Sequence, residues 1–188
     1  GMFPGQIPWD VILIIMSAIA AICALQLAGG LDYLVRIAEN ILRKNPKHIN
    51  YLAPTVTYFL TILAGTGHTA FSMIPVIVEV AKSENIKPSV PLSIAVVASQ
   101  IGITASPVSA AVVAMSGFLE PFGVSYPTLL GICISTTFIA VMITAFIMST
   151  FTNNDLSSDP VYQERLAAGH VAPPREKNTD FHLKPGAK

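Results

Sequence analysis

The stretch Thr61-Ile62-Leu63-Ala64-Gly65-Thr66-Gly67-His68-Thr69-Ala70-Phe71 decides the fold. Before the glycines, residues 52–64 form an apolar run of about 13 residues, roughly 20 Å as a helix. After them, residues 69–81 supply a second run of similar length, interrupted by Pro75 and followed by Lys82. A bilayer core is about 30 Å thick, so neither arm crosses it alone. Two half-length arms around a glycine turn predict a re-entrant hairpin over 52–81. A membrane tolerates that form only where the turn is buried in protein or lines a watery cavity.

The flanking sequence shows the same membrane character. Hydrophobic residues make up 52% of the 188 and charged residues only 12%, against about 25% charged in soluble chains. Residues 11–30, 52–74, 91–119 and 129–151 contain no Asp, Glu, Lys or Arg. Net charge is zero and the basic residues form no large patch, which excludes a nucleic-acid partner. Cys23 and Cys133 each sit within an apolar run, where a thiol acts as a small hydrophobe, and no grouping has metal or cofactor spacing.

Residues 11–30 are long enough to cross a bilayer, with Trp9 at the head where an indole favours the interface. No basic n-region precedes them, so they are expected to be a retained span and not a signal peptide. Over 31–44, Leu31, Leu34, Val35, Ala38, Ile41 and Leu42 recur at helical spacing, opposite Arg36, Glu39, Arg43 and Lys44. That pattern predicts an amphipathic helix lying on the membrane surface. Residues 91–119 are too long for one straight span, at about 43 Å of helix. Pro107, which lacks an N–H and clashes with the preceding turn, breaks them into two half-helices. Residues 129–151 form an ordinary span whose Ser135, Thr136 and Thr137 read as helix-packing residues. The expected transmembrane module is therefore 1–151, and 152–188 is a polar cytoplasmic loop or tail, largely disordered apart from a short helix near 160–168.

Charge tests the hairpin, because cytoplasmic loops collect Lys and Arg. Arg36, Arg43, Lys44 and Lys47 place the first loop inside. If 52–81 turns back, Lys82 and Lys87 are also inside, residues 116–128 with no Lys or Arg fall outside, and the basic tail returns inside. A full crossing at 52–81 would break the rule twice.

A hairpin tip and a broken helix in one module point to a binding site near the bilayer midplane. A helix start carries partial positive charge and N–H donors suited to a carboxylate. The candidate substrate-binding residues are Gly65, Thr66, Gly67, His68, Thr69, Gln100, Thr104, Ala105, Ser106, Pro107 and Ser109. His68 is titratable and could carry a proton or donate to a carboxylate; as the competing reading it is a polar cap on the turn. The hydroxyls carry an alternative too, since Ser and Thr in membrane helices often bond their own backbone. Gln26 reads as a helix-to-helix hydrogen bonder and Gln100 as a residue one turn before the break. No Lys or Arg lies in these apolar stretches, so an anion would be held by dipoles and hydroxyls or by a cation from outside the chain. His68 and Ser106 as a hydrolytic pair lack a nucleophile elbow and an orienting acid, so no enzyme is expected.

Gln26-Leu27-Ala28-Gly29-Gly30-Leu31-Asp32, Leu42-Arg43-Lys44-Asn45-Pro46-Lys47, Leu63-Ala64-Gly65-Thr66-Gly67-His68 and Ile103-Thr104-Ala105-Ser106-Pro107-Val108-Ser109-Ala110-Ala111-Val112-Val113 resemble the anaerobic C4-dicarboxylate transporter family, the Dcu carriers, most closely the A-type. The agreement extends from about residue 4 to about residue 167. The resemblance implies exchange or uptake of fumarate, succinate, malate and aspartate across the bacterial inner membrane, in support of fumarate respiration. It implies an all-α integral membrane fold, one half of an inverted-repeat transporter, multi-pass, with no cofactor. The implied partners are the C4-dicarboxylate, the lipid bilayer, the missing second half of the same carrier and further copies in a homo-oligomer. On this reading the chain is a fragment, lacking the family's first hydrophobic segment and its second half. A channel-like or structural membrane subunit is the alternative.

Overall fold

The computed structural model describes residues 9–152 and 155–171, and these are helical throughout apart from turns and one bridge pair, Ile86 with Asp155. The expected disorder of 172–188 lies outside the described residues. Helix α1 (Trp9–Leu27) is apolar along its length. It ends where Gly29 takes a left-handed φ of 74°, a conformation that costs glycine nothing. The chain turns there into α2 (Gly30–Lys44). Pro46–His48 make one turn of 3-10 helix before α3 (Ile49–Ala64), so the first hairpin arm begins earlier than its apolar run and has 16 residues, about 24 Å.

Helix α4 (Thr69–Ser83) folds back along α3. Ile49, Ala53 and Leu60 of α3 pack with Met73, Val76, Ile77, Val80 and Ala81 of α4, and with Ala38 and Leu42 of α2, in one buried cluster. The far ends confirm the antiparallel sense: Arg43 Nη2 of α2 is 2.9 Å from Glu79 Oε2 near the end of α4, while Thr61 Oγ1 near the end of α3 is 3.1 Å from Thr69 Oγ1 at the start of α4. Thus α4 ends beside the basic segment from which α3 begins. Pro54 and Pro75 sit inside their helices, and Thr57 Oγ1 lies 2.8 Å from Ala53 O of its own helix and 3.1 Å from Ala95 O of the next one.

Helix α5 (Ser89–Ile103) lies mainly against α3. Gly102 explains how closely: a Cβ there would meet the Tyr58 carbonyl oxygen at 3.1 Å and Thr61 Cβ at 3.2 Å. Any larger residue there would push these backbones apart by a few tenths of an ångström. Residues 104–109 are not helical, and α6 (Ala110–Leu119) follows them. Helix α7 (Tyr126–Phe151) starts before its expected span and, at 26 residues, is long and apolar enough to cross a membrane. Its packing is set by Tyr58, fully buried on α3, whose hydroxyl is 2.7 Å from Thr137 Oγ1 and 3.1 Å from Ile134 O. A buried phenol needs such partners. Ser135 and Thr136 instead bond carbonyls of their own helix.

Part of the polar stretch after α7 is structured. Leu156 is buried and its N–H donates to Asn85 O at 3.0 Å. Asn85 Nδ2 donates to Asp155 Oδ1 at 2.7 Å, and Lys87 pairs with Asp159. Asp159 also caps α8 (Pro160–Ala167), accepting from the N–H groups of Val161 and Tyr162. These contacts clasp the α4–α5 loop to the segment after α7.

Candidate functional site at the turn and the break

Two local decisions build the site. At the first, Gly65 ends α3 with φ 68°, and its N–H returns to Thr61 O at 2.8 Å. A left-handed residue at this position stops a helix and satisfies a trailing carbonyl. Thr66 accepts from the His68 N–H, and α4 begins at Thr69 with Ala70 N–H on Gly67 O at 3.2 Å. At the second, α5 loosens through short turns: Thr104, Ala105 and Ser106 N–H groups bond Ile101, Gly102 and Ile103 carbonyls. Ser109 then starts α6 as its cap, its Oγ accepting from Ala111 N–H at 3.3 Å. Between them stands Pro107, which can donate no backbone hydrogen bond.

The fold brings the two together. Ser106 is fully buried, and its Oγ donates to Ile62 O, in the last turn of α3, at 2.6 Å. The same oxygen accepts from Val108 N–H at 3.3 Å, so this hydroxyl is occupied on both sides. Gly67, at the tip of the turn, is buried against α5: a Cβ there would lie 2.6 Å from Gln100 Nε2. The amide of Gln100 therefore covers the glycine turn because glycine has no side chain to exclude it.

The candidate residues fall into two groups. Thr69, Ala105, Ser106 and Ser109 are buried, and the three hydroxyls among them hold the backbone, Thr69 Oγ1 through Thr61 Oγ1 and the Thr66 carbonyl at 3.3 Å. Thr66 and Gly65 are half-buried, while His68, Gln100, Thr104 and Pro107 are exposed. His68 stands at the start of α4 without a side-chain capping bond, its ring 6.0 Å from that of Phe71. Thr104 Oγ1 donates to Ile101 O at 2.7 Å. Pro107 O accepts from the Tyr126 hydroxyl, which ties the break to the head of α7.

Sequence reasoning missed Thr61, Tyr58, Gly102 and Tyr126. Their signal was present: a tyrosine or threonine inside an apolar run must find a partner, and a glycine within a helix marks a close approach. Which partner it finds depends on long-range packing. Gln26 was expected to bond between helices; its side chain lies outside the described ones. Among the described residues no group of His, Cys, Asp or Glu is placed to hold a metal ion, and both cysteines are free.

Arranged this way, the turn and the break lie against one another through Ser106–Ile62 and Gly67–Gln100, and each is followed by a helix start, that of α4 or of α6. Helix starts concentrate partial positive charge, and no side-chain cation of the described site competes with them. What the arrangement offers chemically is helix dipoles and neutral donors.

Comparison with known proteins identifies the family. Residues 1–188 match the family described as anaerobic c4-dicarboxylate membrane transporter. The chain is 69% identical over 188 residues to the C4-dicarboxylate transporter DcuA of Wolinella succinogenes, covering 100% of this chain and 43% of that protein. It is 68% identical over 187 residues to DcuA of Helicobacter pylori strain J99, covering 98% and 42%, and 54% identical over 188 residues to DcuA of Escherichia coli K12, covering 100% and 43%. The chain thus spans less than half the length of these relatives, whose names denote transport and not catalysis. No solved structure matches it.

Proposed function

Because the chain belongs to the family of anaerobic C4-dicarboxylate membrane transporters, we propose that it forms one half-site of a secondary carrier for fumarate, succinate, malate and aspartate in the bacterial inner membrane. The observation that carries this reading is the Ser106 to Ile62 hydrogen bond, which joins the proline break to the last turn before the glycine turn. On this reading 49–83 is re-entrant: it enters from the cytoplasmic side at Ile49 and returns there at Ser83. The Arg43–Glu79 pair supports it, since a full crossing would separate these residues by the thickness of the bilayer. Helices α5 and α6 together form one broken span, α1 and α7 are full spans, and residues from 152 onward are cytoplasmic.

The diacid is held by parts with distinct roles. Buried Ser106, Ser109 and Thr69 fix the backbone so that the N-terminal ends of α4 and α6 face one guest. Thr66, His68, Gln100 and Thr104 are the accessible polar groups beside them, with Gln100 and His68 able to donate to carboxylate oxygens. Two carboxylates exceed what dipoles alone neutralise, so the rest of the carrier supplies the remaining donors. Neutral donors also suit a carrier: they bind the anion without the deep trap that a buried lysine or arginine would create.

Counterflow tests the function. Vesicles holding the intact carrier and loaded with unlabelled fumarate are expected to accumulate labelled succinate transiently and saturably. Flux that rises linearly with concentration, without counterflow, would replace the carrier with a channel-like subunit.

A further inference from the structure

Helix α2 buries only part of its apolar surface. Ala38 and Leu42 are buried, and Leu34 and Val35 pack against the same core. Beside them runs a second apolar stripe, Tyr33, Ile37 and Ile41, at four-residue spacing and 67%, 41% and 40% exposed. Residues three or four apart share a helix face. Arg36 therefore lies one turn from Tyr33, and Lys44 one turn from Ile41, with Lys47 just beyond the helix end; all three are exposed. Asp32 and Glu39 fall across the helix from the centre of this stripe, at 100° per residue, and each lies within one turn of Arg36. Among the described residues Arg36, Lys44 and Lys47 form no ion pair, whereas Arg43, two turns beyond Arg36 on the same flank, is paired with Glu79.

Position identifies what covers the stripe. Helix α1 has 19 residues, about 28 Å, and the left-handed Gly29 redirects the chain into α2 directly at its end. If α1 spans the bilayer, α2 begins at the level of the headgroups. An apolar strip at that depth, rimmed by unpaired cations, is complementary to acyl chains on one side and phosphate groups on the other.

We infer that the Tyr33/Ile37/Ile41 face of α2 is a binding surface for anionic phospholipid of the cytoplasmic leaflet, with Arg36, Lys44 and Lys47 contacting the headgroup phosphates. It rests on the membrane reading of α1 and is independent of dicarboxylate exchange, so its failure would leave counterflow untouched. The stripe supplies depth and the cations supply selectivity for negative headgroups over zwitterionic ones.

The full-length carrier, purified from nanodiscs of phosphatidylglycerol and phosphatidylcholine, is compared by native mass spectrometry with the variant carrying Arg36→Gln, Lys44→Gln and Lys47→Gln. One cation near an anionic surface changes binding about fivefold, so retained phosphatidylglycerol should fall at least tenfold while phosphatidylcholine is unchanged. Equal retention of phosphatidylglycerol by both proteins would overturn the assignment. A spin label on Ile37→Cys in otherwise native carrier gives a second readout that needs no charge change. Relaxation by oxygen stronger than by a water-soluble nickel chelate is expected. Relaxation dominated by nickel, or shielding from both by the remainder of the carrier or a second copy, would overturn it as well.

Discussion

Ser106 Oγ sits 2.6 Å from the carbonyl oxygen of Ile62, and both residues are buried. This bond links residues 44 positions apart, one in the broken stretch between α5 and α6 and one in the last turn before Gly65. It makes the two interruptions a single structural unit. Removing the hydroxyl leaves the Ile62 carbonyl and the Val108 N–H without that partner.

Ser106→Ala is therefore expected to lower the stability of the purified carrier by about 1–3 kcal/mol, the cost of stranding buried polar groups. Thermal unfolding with and without succinate measures it. Ser109→Ala should cost about 1 kcal/mol through loss of the α6 cap. A drop in affinity at unchanged stability would instead assign these hydroxyls to direct ligand contact.

Tyr58 and Thr137 form the corresponding link to α7. Tyr58→Phe and Thr137→Val should each destabilise by roughly 1 kcal/mol, and the double variant by less than the sum. A double-mutant cycle on unfolding free energies checks this. Strict additivity would mean that the hydroxyls do not interact.

Arg43 and Glu79 are each about 40% exposed on their side chains, so their pair contributes little stability, in the range of 0–1 kcal/mol. Its value is topological. In the intact carrier, Arg43→Cys with Glu79→Cys should be joined by a short bismaleimide with high yield within one chain. Were 49–83 a full crossing, the two thiols would lie about 30 Å apart on opposite faces and no cross-link would form.

The clasp between Asn85, Lys87, Asp155 and Asp159 responds to acid. Pairing with Lys87 and the capped N–H groups hold the Asp159 carboxyl below the usual carboxylate range, and the Ser157 hydroxyl with Asn85 does the same for Asp155. A folded-state pKa below the unfolded one stabilises the clasp above about pH 4, and that contribution is lost as pH falls through the depressed values. Hydrogen-exchange protection at Leu156 and Tyr162, measured relative to intrinsic exchange at each pH, should fall on acidification. Asp159→Asn, which keeps the cap but not the ion pair, should already exchange faster at neutral pH. Protection independent of both changes would show that the clasp is held by Leu156 burial alone.

How much of this was legible in the sequence follows from the range of each interaction. The turn at Gly65–His68 and the break at Pro107 are local: a left-handed glycine and a missing N–H act on their own neighbours, and element bounds shifted by only a few residues. Roles of individual hydroxyls were not legible, because Ser106 looks the same whether it faces a ligand or the Ile62 carbonyl. That choice is made by the contact between α3 and α5, which depends on Gly102 meeting Tyr58 and Thr61. The clasp was read as part of a polar tail for a related reason. Asp155, Asp159 and Lys87 carry ordinary surface charge until the loop geometry at Asn85, with φ 57°, brings them together.

The central claim is that the glycine turn and the proline break jointly face the transported diacid within the bilayer. Thr66→Cys in the otherwise intact carrier, labelled with a small maleimide in membrane vesicles, tests it most directly. Slow labelling that saturating succinate or fumarate suppresses, with a monocarboxylate ineffective, is the predicted result. Rapid labelling from the periplasmic side, unchanged at every diacid concentration, would contradict it.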